Sequence, residues 1–444
     1  MTLKGLFRKE IRMDFLLKDK EILKKLKTDL EEEYNKLKSY KLDLDMSRGK
    51  PSSEQLNLSN NLLKVLNIDN KDISKLSESA EGLDYRNYGN LDGILEIKKI
   101  FSYILDVPTE NIFIGGNSSL SLMFDTISQY MSHGVLNDTP WSKQKNIKFL
   151  CPCPGYDRHF AILDYFGIGQ IVIPMTPTGP DMDLIEKLVA KDETIKGIFC
   201  VPKYSNPTGI TYSDATVTRF AKLKPKAKDF RIFWDNAYAI HDIREKPDIL
   251  LNIMTESKKF NNEDIFITFS STSKITFAGA GIAAIIASEK NLNNLKEKYK
   301  VKTIGFNKIN QIAHAIFLKN PDTINKHMQA HRKILEPKFD IVLKHLNKNF
   351  QNNNIVKWTN PNGGYFISIE LQNASAKRVI ELCKNAGLKL TPAGSTYPKG
   401  KDILDNNIRI APSYPSVEEL DKAMNIFCIC INLATIENSI NRLT

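Results

Sequence analysis

Ser270-Ser271-Thr272-Ser273-Lys274-Ile275-Thr276-Phe277-Ala278-Gly279-Ala280-Gly281 follows an apolar run, Ile265 to Phe269, that reads as a buried strand. A hydroxyl-rich turn comes after the strand, then one lysine, then small residues. Hydroxyls and backbone N–H groups in such a turn can hold a phosphate. A lysine withdrawn from water can lose its proton and become a carbonyl-reactive amine. A Schiff-base lysine beside an anchored phosphate is what pyridoxal phosphate requires. The plain alternative is a strand end with a solvated lysine, so the flanking sequence has to decide.

Upstream, short apolar runs alternate with helical patterns. Ile112-Phe113-Ile114, Ile147 to Cys151, Ile171 to Ile173, Ile195 to Pro202 and Phe230 to Trp234 read as strands, as does Ile282 to Ala287 downstream. Leu184 to Ala190, Val217 to Leu223 and the stretch holding Leu122, Met123, Phe124 and Ile127 read as helices. This alternation predicts a mostly parallel sheet between helices, with ligands beyond the carboxyl ends of the strands. The polar motifs fall at those ends. Gly115-Gly116-Asn117-Ser118-Ser119 joins a strand to a helix N-terminus and can cradle an anion. It is neither a Walker A loop nor a dinucleotide fingerprint, and it also reads as a routine capped joint.

Outside the alternating region, Asp14 to Tyr40 carries Leu16, Leu23, Leu26, Leu30, Tyr34 and Leu37 at helical spacing. Asn57 to Asn67 and Ile94 to Leu105 also read as helices. Leu292 to Leu346 reads as mostly helical, with one break at Pro321. Val356 to Ile369 reads as a hairpin around a Pro-Asn-Gly turn. Ala376 to Ala386 and Val417 to Leu433 read as helices, and Leu388 to Thr391 and Ile408 to Ile410 as short strands. The expected architecture is α/β: a large domain over 61–315, and a smaller α+β domain built from both chain ends, 1–60 and 316–444.

The chain of 444 residues is 42% hydrophobic and 25% charged, a globular composition, and its net charge is +11. The lysines are spread over helix faces beside Glu and Asp, which argues against nucleic acid and allows attraction for anionic substrates. Six cysteines lie in apolar runs without CxxC pairs, so buried free thiols in a reducing compartment are expected. No metal site is expected. No run approaches the length of a membrane span, and Met1 to Arg12 is basic without an apolar signal core. A cytoplasmic protein is the expectation.

Four motifs in order, Asn206-Pro207-Thr208-Gly209, Asp235-Asn236-Ala237-Tyr238, Ser271-Thr272-Ser273-Lys274 and the arginine of Asn407-Ile408-Arg409-Ile410, resemble the signatures of class I pyridoxal-phosphate aminotransferases. Ser47-Arg48-Gly49-Lys50-Pro51, Arg86-Asn87-Tyr88-Gly89 and Pro154 to Phe160 look like the atypical aspartate aminotransferase subgroup Ic. The resemblance implies pyridoxal 5'-phosphate as cofactor, amino-acid and 2-oxo-acid substrates, and a homodimer with a shared site. It implies that Lys274 forms the Schiff base and moves the substrate proton, and that Asp235 holds the pyridine nitrogen protonated. Asn206 and Tyr238 would bond the ring oxygen. Tyr156 would stack on the ring, although a core tyrosine is the alternative. Asn117, Ser118, Ser119, Ser271 and Ser273 would cradle the phosphate. Tyr88, with Tyr85 as the alternative, would reach the phosphate of the other subunit. Arg409 would grip the substrate α-carboxylate as a fork, with Gly49 allowing close backbone approach.

Two features depart from the family pattern. Ala278 to Gly281 carries no cation where related enzymes have a phosphate-binding arginine. Thr303 to Lys308 lacks the arginine expected for a distal carboxylate, leaving Lys308, Arg48, Arg86 and Arg158 as candidates. The expected reaction is transfer from aspartate to 2-oxoglutarate, with alanine or an aromatic amino acid as alternative donors. A regulatory domain of the same fold is the rival class, but only about 40 residues precede the fold, too few for a helix-turn-helix module.

Overall fold

A computed structural model describes residues 19–66, 82 and 84–443. In chain order the first strands are β1 (Leu44–Asp45), β2 (Ile112–Ile114), β3 (Lys148–Cys153), β4 (Gly169–Thr176) and β5 (Gly179–Pro180). Then come β6 (Ile195–Cys200), β7 (Arg231–Asp235), β8 (Phe266–Ser271) and β9 (Ala283–Ala287). Strands β2 to β9 make one eight-stranded sheet in the order β2-β9-β8-β7-β6-β3-β4-β5. The run from β4 through β3, β6 and β7 to β8 is parallel. Only β5 and β9 run against their neighbours. Every residue of β6, β7 and β8 is buried, because helices cover both faces.

The pleat sorts side chains between those faces. Phe233 of β7 packs with Phe149, Phe199 and Phe269, under the helices Ser119–His133 and Asp157–Tyr165. Ile232 and Trp234 pack on the opposite face with Leu150, Ile198 and Cys200. Asp235 is two residues beyond Phe233, so it leaves the strand on the Phe233 side. Ser271 relates in the same way to Phe269 on β8.

The remaining strands are β10 (Val356–Trp358), β11 (Ile367–Leu371), β12 (Leu388–Lys389) and β13 (Asn407–Ile410). They form an antiparallel sheet, β10-β11-β13, and a parallel pair, β1 with β12. Another core gathers around them. It joins Leu23, Leu26, Leu30, Tyr34 and Leu37 of the helix Lys20–Ser39 to the helices Pro321–Phe350 and Val417–Arg442. It also takes in Val201, Tyr204 and Tyr238 from the rims of the large sheet.

Several elements differ from expectation. The helix predicted over 57–67 is a short helix, Ser53–Asn57, followed by a 3-10 turn, Asn60–Leu63. A capping box between Ser52 and Gln55 starts it early; Asn67 lies outside the described residues. The N-terminal helix is described from Lys20, with Asp19 as its cap, and 14–18 lie outside. The segment predicted to break once breaks twice: Asn307 and Asn320 each cap a new helix, and Pro321 is only the second start. The expected hairpin over Val356 to Ile369 is present as β10 and β11, paired antiparallel, and its connection runs from Thr359 to Phe366 around Pro361-Asn362-Gly363. That connection is held by the Ile243 N–H donating to the Asn362 carbonyl and the Gly364 N–H donating to the His241 carbonyl, each at 2.9 Å. The last helix runs on to Arg442, and it is long and apolar enough to cross a membrane, contrary to the sequence reading. Its side chains lie mostly in the core, which explains its apolar character. All six cysteines are free and buried.

Candidate active site

Lys274 sits in the turn after β8 and opens on a cavity of about 170 Å³. Ser118, Ser119, Tyr156, Asn206, Asp235, Tyr238, Ser271, Ser273 and Gly49 line the same cavity, with Phe366. These residues come from the carboxyl ends of five strands, from the chain after β1 and, for Phe366, from the residue before β11. The sheet therefore brings together what the linear order separates. Burial lowers the Lys274 pKa, and the Asp235 carboxylate works in the opposite direction. The amine lies 4.8 Å from the Tyr238 ring centre.

Asp235 is 4% exposed. One of its oxygens, Oδ2, lies 3.0 Å from His159 Nε2, and the other, Oδ1, is buried without a partner. His159 is itself fixed, stacked on Phe199 with ring centres 4.3 Å apart. Tyr156 meets the edge of His159. Burial pushes the Tyr156 hydroxyl up to about 12 and raises Tyr238 well above its ordinary value, so both stay protonated donors. Sequence reading assigned no role to His159. The available signal was its three-residue spacing from Tyr156, which places both on one side of the first helical turn.

The helix Ser119–His133 begins at this cavity. Ser118 makes no side-chain cap, and the first N–H groups of a helix have no partner within it. Ser273 donates to the Asn117 carbonyl at 3.2 Å. Asn117 itself is exposed and faces a neighbouring cleft with Phe277, Gly279 and Gly281. A Cβ on Gly281 would come within 2.9 Å of Ser273 Oγ and 3.1 Å of its backbone nitrogen, so the small residues after the lysine let two turns pack closely.

Arg409 is 8% exposed, not a surface residue. Its Nη1 donates to Asn206 Oδ1 at 3.2 Å and to Asp157 Oδ1 at 3.3 Å. Nη2 donates to Thr391 Oγ1 at 3.4 Å, and the guanidinium lies over the Phe366 ring. Arg409 does not line the cavity itself but touches Asn206 and Phe366, which do. A Cβ on Gly49 would fall 2.2 Å from the Phe366 ring, so only glycine fits between the ring and the loop.

Tyr88 is not among the lining residues and stands 80% exposed. Tyr85 is buried, and its hydroxyl donates to Glu96 at 2.5 Å. None of the four distal-carboxylate candidates lines the cavity. Lys308 is buried and donates to the Gly89 carbonyl, and Arg86 pairs with Asp84. Arg48 is exposed, and Arg158 lines a separate cleft with Phe124 and Tyr165.

This donor set fits pyridoxal phosphate. The unpartnered Asp235 Oδ1 can accept from a protonated ring nitrogen. The uncapped helix N-terminus and the hydroxyls of Ser118, Ser119, Ser271 and Ser273 suit a phosphate without an arginine. Lys274, on the same cavity, can supply the amine.

The aspartate amino-transferase family profile matches residues 18–442. A relative from Corynebacterium glutamicum named aspartate aminotransferase is 42% identical over 415 residues, 93% of this chain and 94% of its own. A solved aspartate transaminase from Corynebacterium glutamicum superposes with a TM-score of 0.92 at 40% identity, covering 96% of this chain and 99% of that one. An α-aminoadipate aminotransferase from Thermus thermophilus, solved with N-(5'-phosphopyridoxyl)-L-leucine, shares the fold at 17% identity, with a TM-score of 0.69 over 90% of this chain and 94% of its own. The chain belongs to the aspartate amino-transferase family and is an aminotransferase.

Proposed function

We propose that the protein transfers the amino group of L-aspartate to 2-oxoglutarate by a ping-pong mechanism, giving oxaloacetate and glutamate. The observation that carries the chemistry is one small cavity lined by Lys274 and by Asp235, a carboxylate with one free buried oxygen, with the buried Arg409 bonded to Asn206 of that lining. The 42% identical relative named aspartate aminotransferase supports aspartate as donor.

Bound there, pyridoxal phosphate supplies an electron sink for negative charge at the substrate Cα. Asp235 holds a proton on the ring nitrogen through Oδ1, and His159 orients that carboxylate through Oδ2. Lys274 Nζ, drawn toward its neutral form by burial, would take the proton from Cα as base and give it up again as acid within the same half-reaction, and would do the reverse in the second half. Asn206 and Tyr238 donate to the ring oxygen, and Tyr156 packs on the ring. Arg409 binds the α-carboxylate that donors and acceptors share, which lets one site serve both half-reactions. In the homodimer that belongs to this proposal, Tyr88, which is 80% exposed, would reach the phosphate of the other subunit.

The test follows the bound cofactor's absorbance as amino acids are added one at a time. Aspartate and glutamate should convert it to the amine form, and alanine should do so poorly. No spectral change with any amino acid would sink this reading.

A further inference from the structure

Arg409 is a buried cation, and a buried cation without a counter-charge is costly. Among the described residues, a single carboxylate lies within ion-pair distance of it, that of Asp157 at 3.3 Å. The contact is one-pronged. Asp157 Oδ1 shares Nη1 with Asn206, Nη2 goes to Thr391, and Nε is buried with no partner at all. An arginine paired fork-to-fork with a carboxylate would use two nitrogens on one edge. Here Asp157 meets Nη1 alone, and beside the orphan Nε the neighbouring Nη2 has only the Thr391 hydroxyl.

The two partners also differ in surroundings. The Asp157 side chain is 35% exposed and that of Arg409 is 8% exposed. The carboxylate can move into water, whereas the guanidinium is held by Asn206, Thr391 and the Phe366 ring. Asp157 opens the helix Asp157–Tyr165, so the helix N-terminus favours its charge whether or not it touches Arg409. It is also next in sequence to Tyr156, which lines the cavity.

We propose that Asp157 is the resident counter-ion of Arg409 in the substrate-free site, displaced by each incoming substrate carboxylate. An amino or oxo acid presenting two oxygens satisfies the orphan Nε together with a terminal nitrogen. That gain, with repulsion between the two carboxylates, sends Asp157 to solvent. Asp157 thereby competes with every carboxylate ligand. It discriminates against simple anions, which lack the other anchors needed to win that competition. The proposal rests on the reading of Arg409 as the substrate-carboxylate anchor.

The test uses the holoenzyme and succinate, which carries carboxylates but no amine. Asp157→Asn should tighten succinate binding, measured by calorimetry, by about 1.5-fold to fivefold, the range of a part-exposed ion pair. The KM values for aspartate and 2-oxoglutarate should fall together by a similar factor while kcat changes less, and inhibition by acetate should strengthen. Asp157→Ser, which keeps a good helix-start residue, should shift in the same direction. Weaker or unchanged binding in both variants would overturn the proposal and leave Asp157 as a residue that merely orients Arg409. Arg409→Lys separates the two readings. If it weakens succinate binding while the Asp157 variants gain nothing, only the Asp157 proposal fails. If Arg409→Lys binds succinate as well as the native enzyme, the anchor reading fails and takes the Asp157 proposal with it.

Discussion

Asp235 and His159 divide one task between two side chains. Asp235 lines the cavity with Oδ1 buried and unpartnered, and the imidazole holds Oδ2. A group that meets the cofactor and a group that acts through it should differ in mutational cost. Asp235→Asn removes the charge that keeps a ring nitrogen protonated, and should lower kcat by about 10²-fold or more. His159→Gln keeps the carboxylate and should cost clearly less. Steady-state turnover of both variants checks this, and equal losses would contradict the division. At this scale the motifs were legible because Asp235, Asn206 and Lys274 lie at strand ends, where polar residues stand out against apolar runs. That Asp235 and Arg409 are both buried and hydrogen-bonded was visible only in the fold. Asp157, Thr391 and Phe366 were not legible as neighbours of Arg409, because the three lie in separate elements that only the fold brings together.

The helix Lys20–Ser39 shows how an element far from the chemistry is tied to the rest. Its buried stripe packs in the core shared with the helix Val417–Arg442, and Tyr34 donates to the Leu382 carbonyl at 2.9 Å. Leu30 is 6% exposed within that stripe. Leu30→Ala should cost about 2–4 kcal/mol by lost burial and a residual cavity, read as a lower urea midpoint. Glu32→Ala on the exposed face should cost nothing comparable. Similar midpoints for both would mean that the helix is only loosely docked. The stripe was visible in sequence because its apolar spacing is strict. Breaks between helices were harder. Asn307 and Asn320 are cap residues inside lysine-rich stretches, and only the proline after Asn320 announced itself.

Across the whole molecule, the long helix Pro321–Phe350 of the smaller core reaches the turn that carries Lys274. His331 Nε2 and His327 Nε2 lie 3.0 and 2.7 Å from the Ile275 carbonyl, one residue past the lysine. His331 Nδ1 accepts from Gln55, which also donates to Tyr365, and Tyr365 in turn donates to the Lys274 carbonyl. This joint requires neutral imidazole at His331, because protonating Nδ1 removes the acceptor that Gln55 uses. Burial, and then the neighbouring His327, push the His331 pKa from 6.5 to about 4, and burial lowers His241, His314 and His327 too. The unfolded chain therefore takes up a proton at His331 near pH 6.5, and the folded protein resists it until about pH 4. Stability must rise with pH across that window and be lost on acidification through it. A shift of that size corresponds to about 3 kcal/mol at His331 alone. Urea unfolding at pH 7 and pH 4 should show a large loss in the native protein. In His331→Gln, which keeps a polar side chain but cannot titrate, the loss between the two pH values should be smaller by about that amount. Equal losses in the two proteins would mean that His331 is already protonated in the folded state, and that the joint beneath Lys274 is held in some other way.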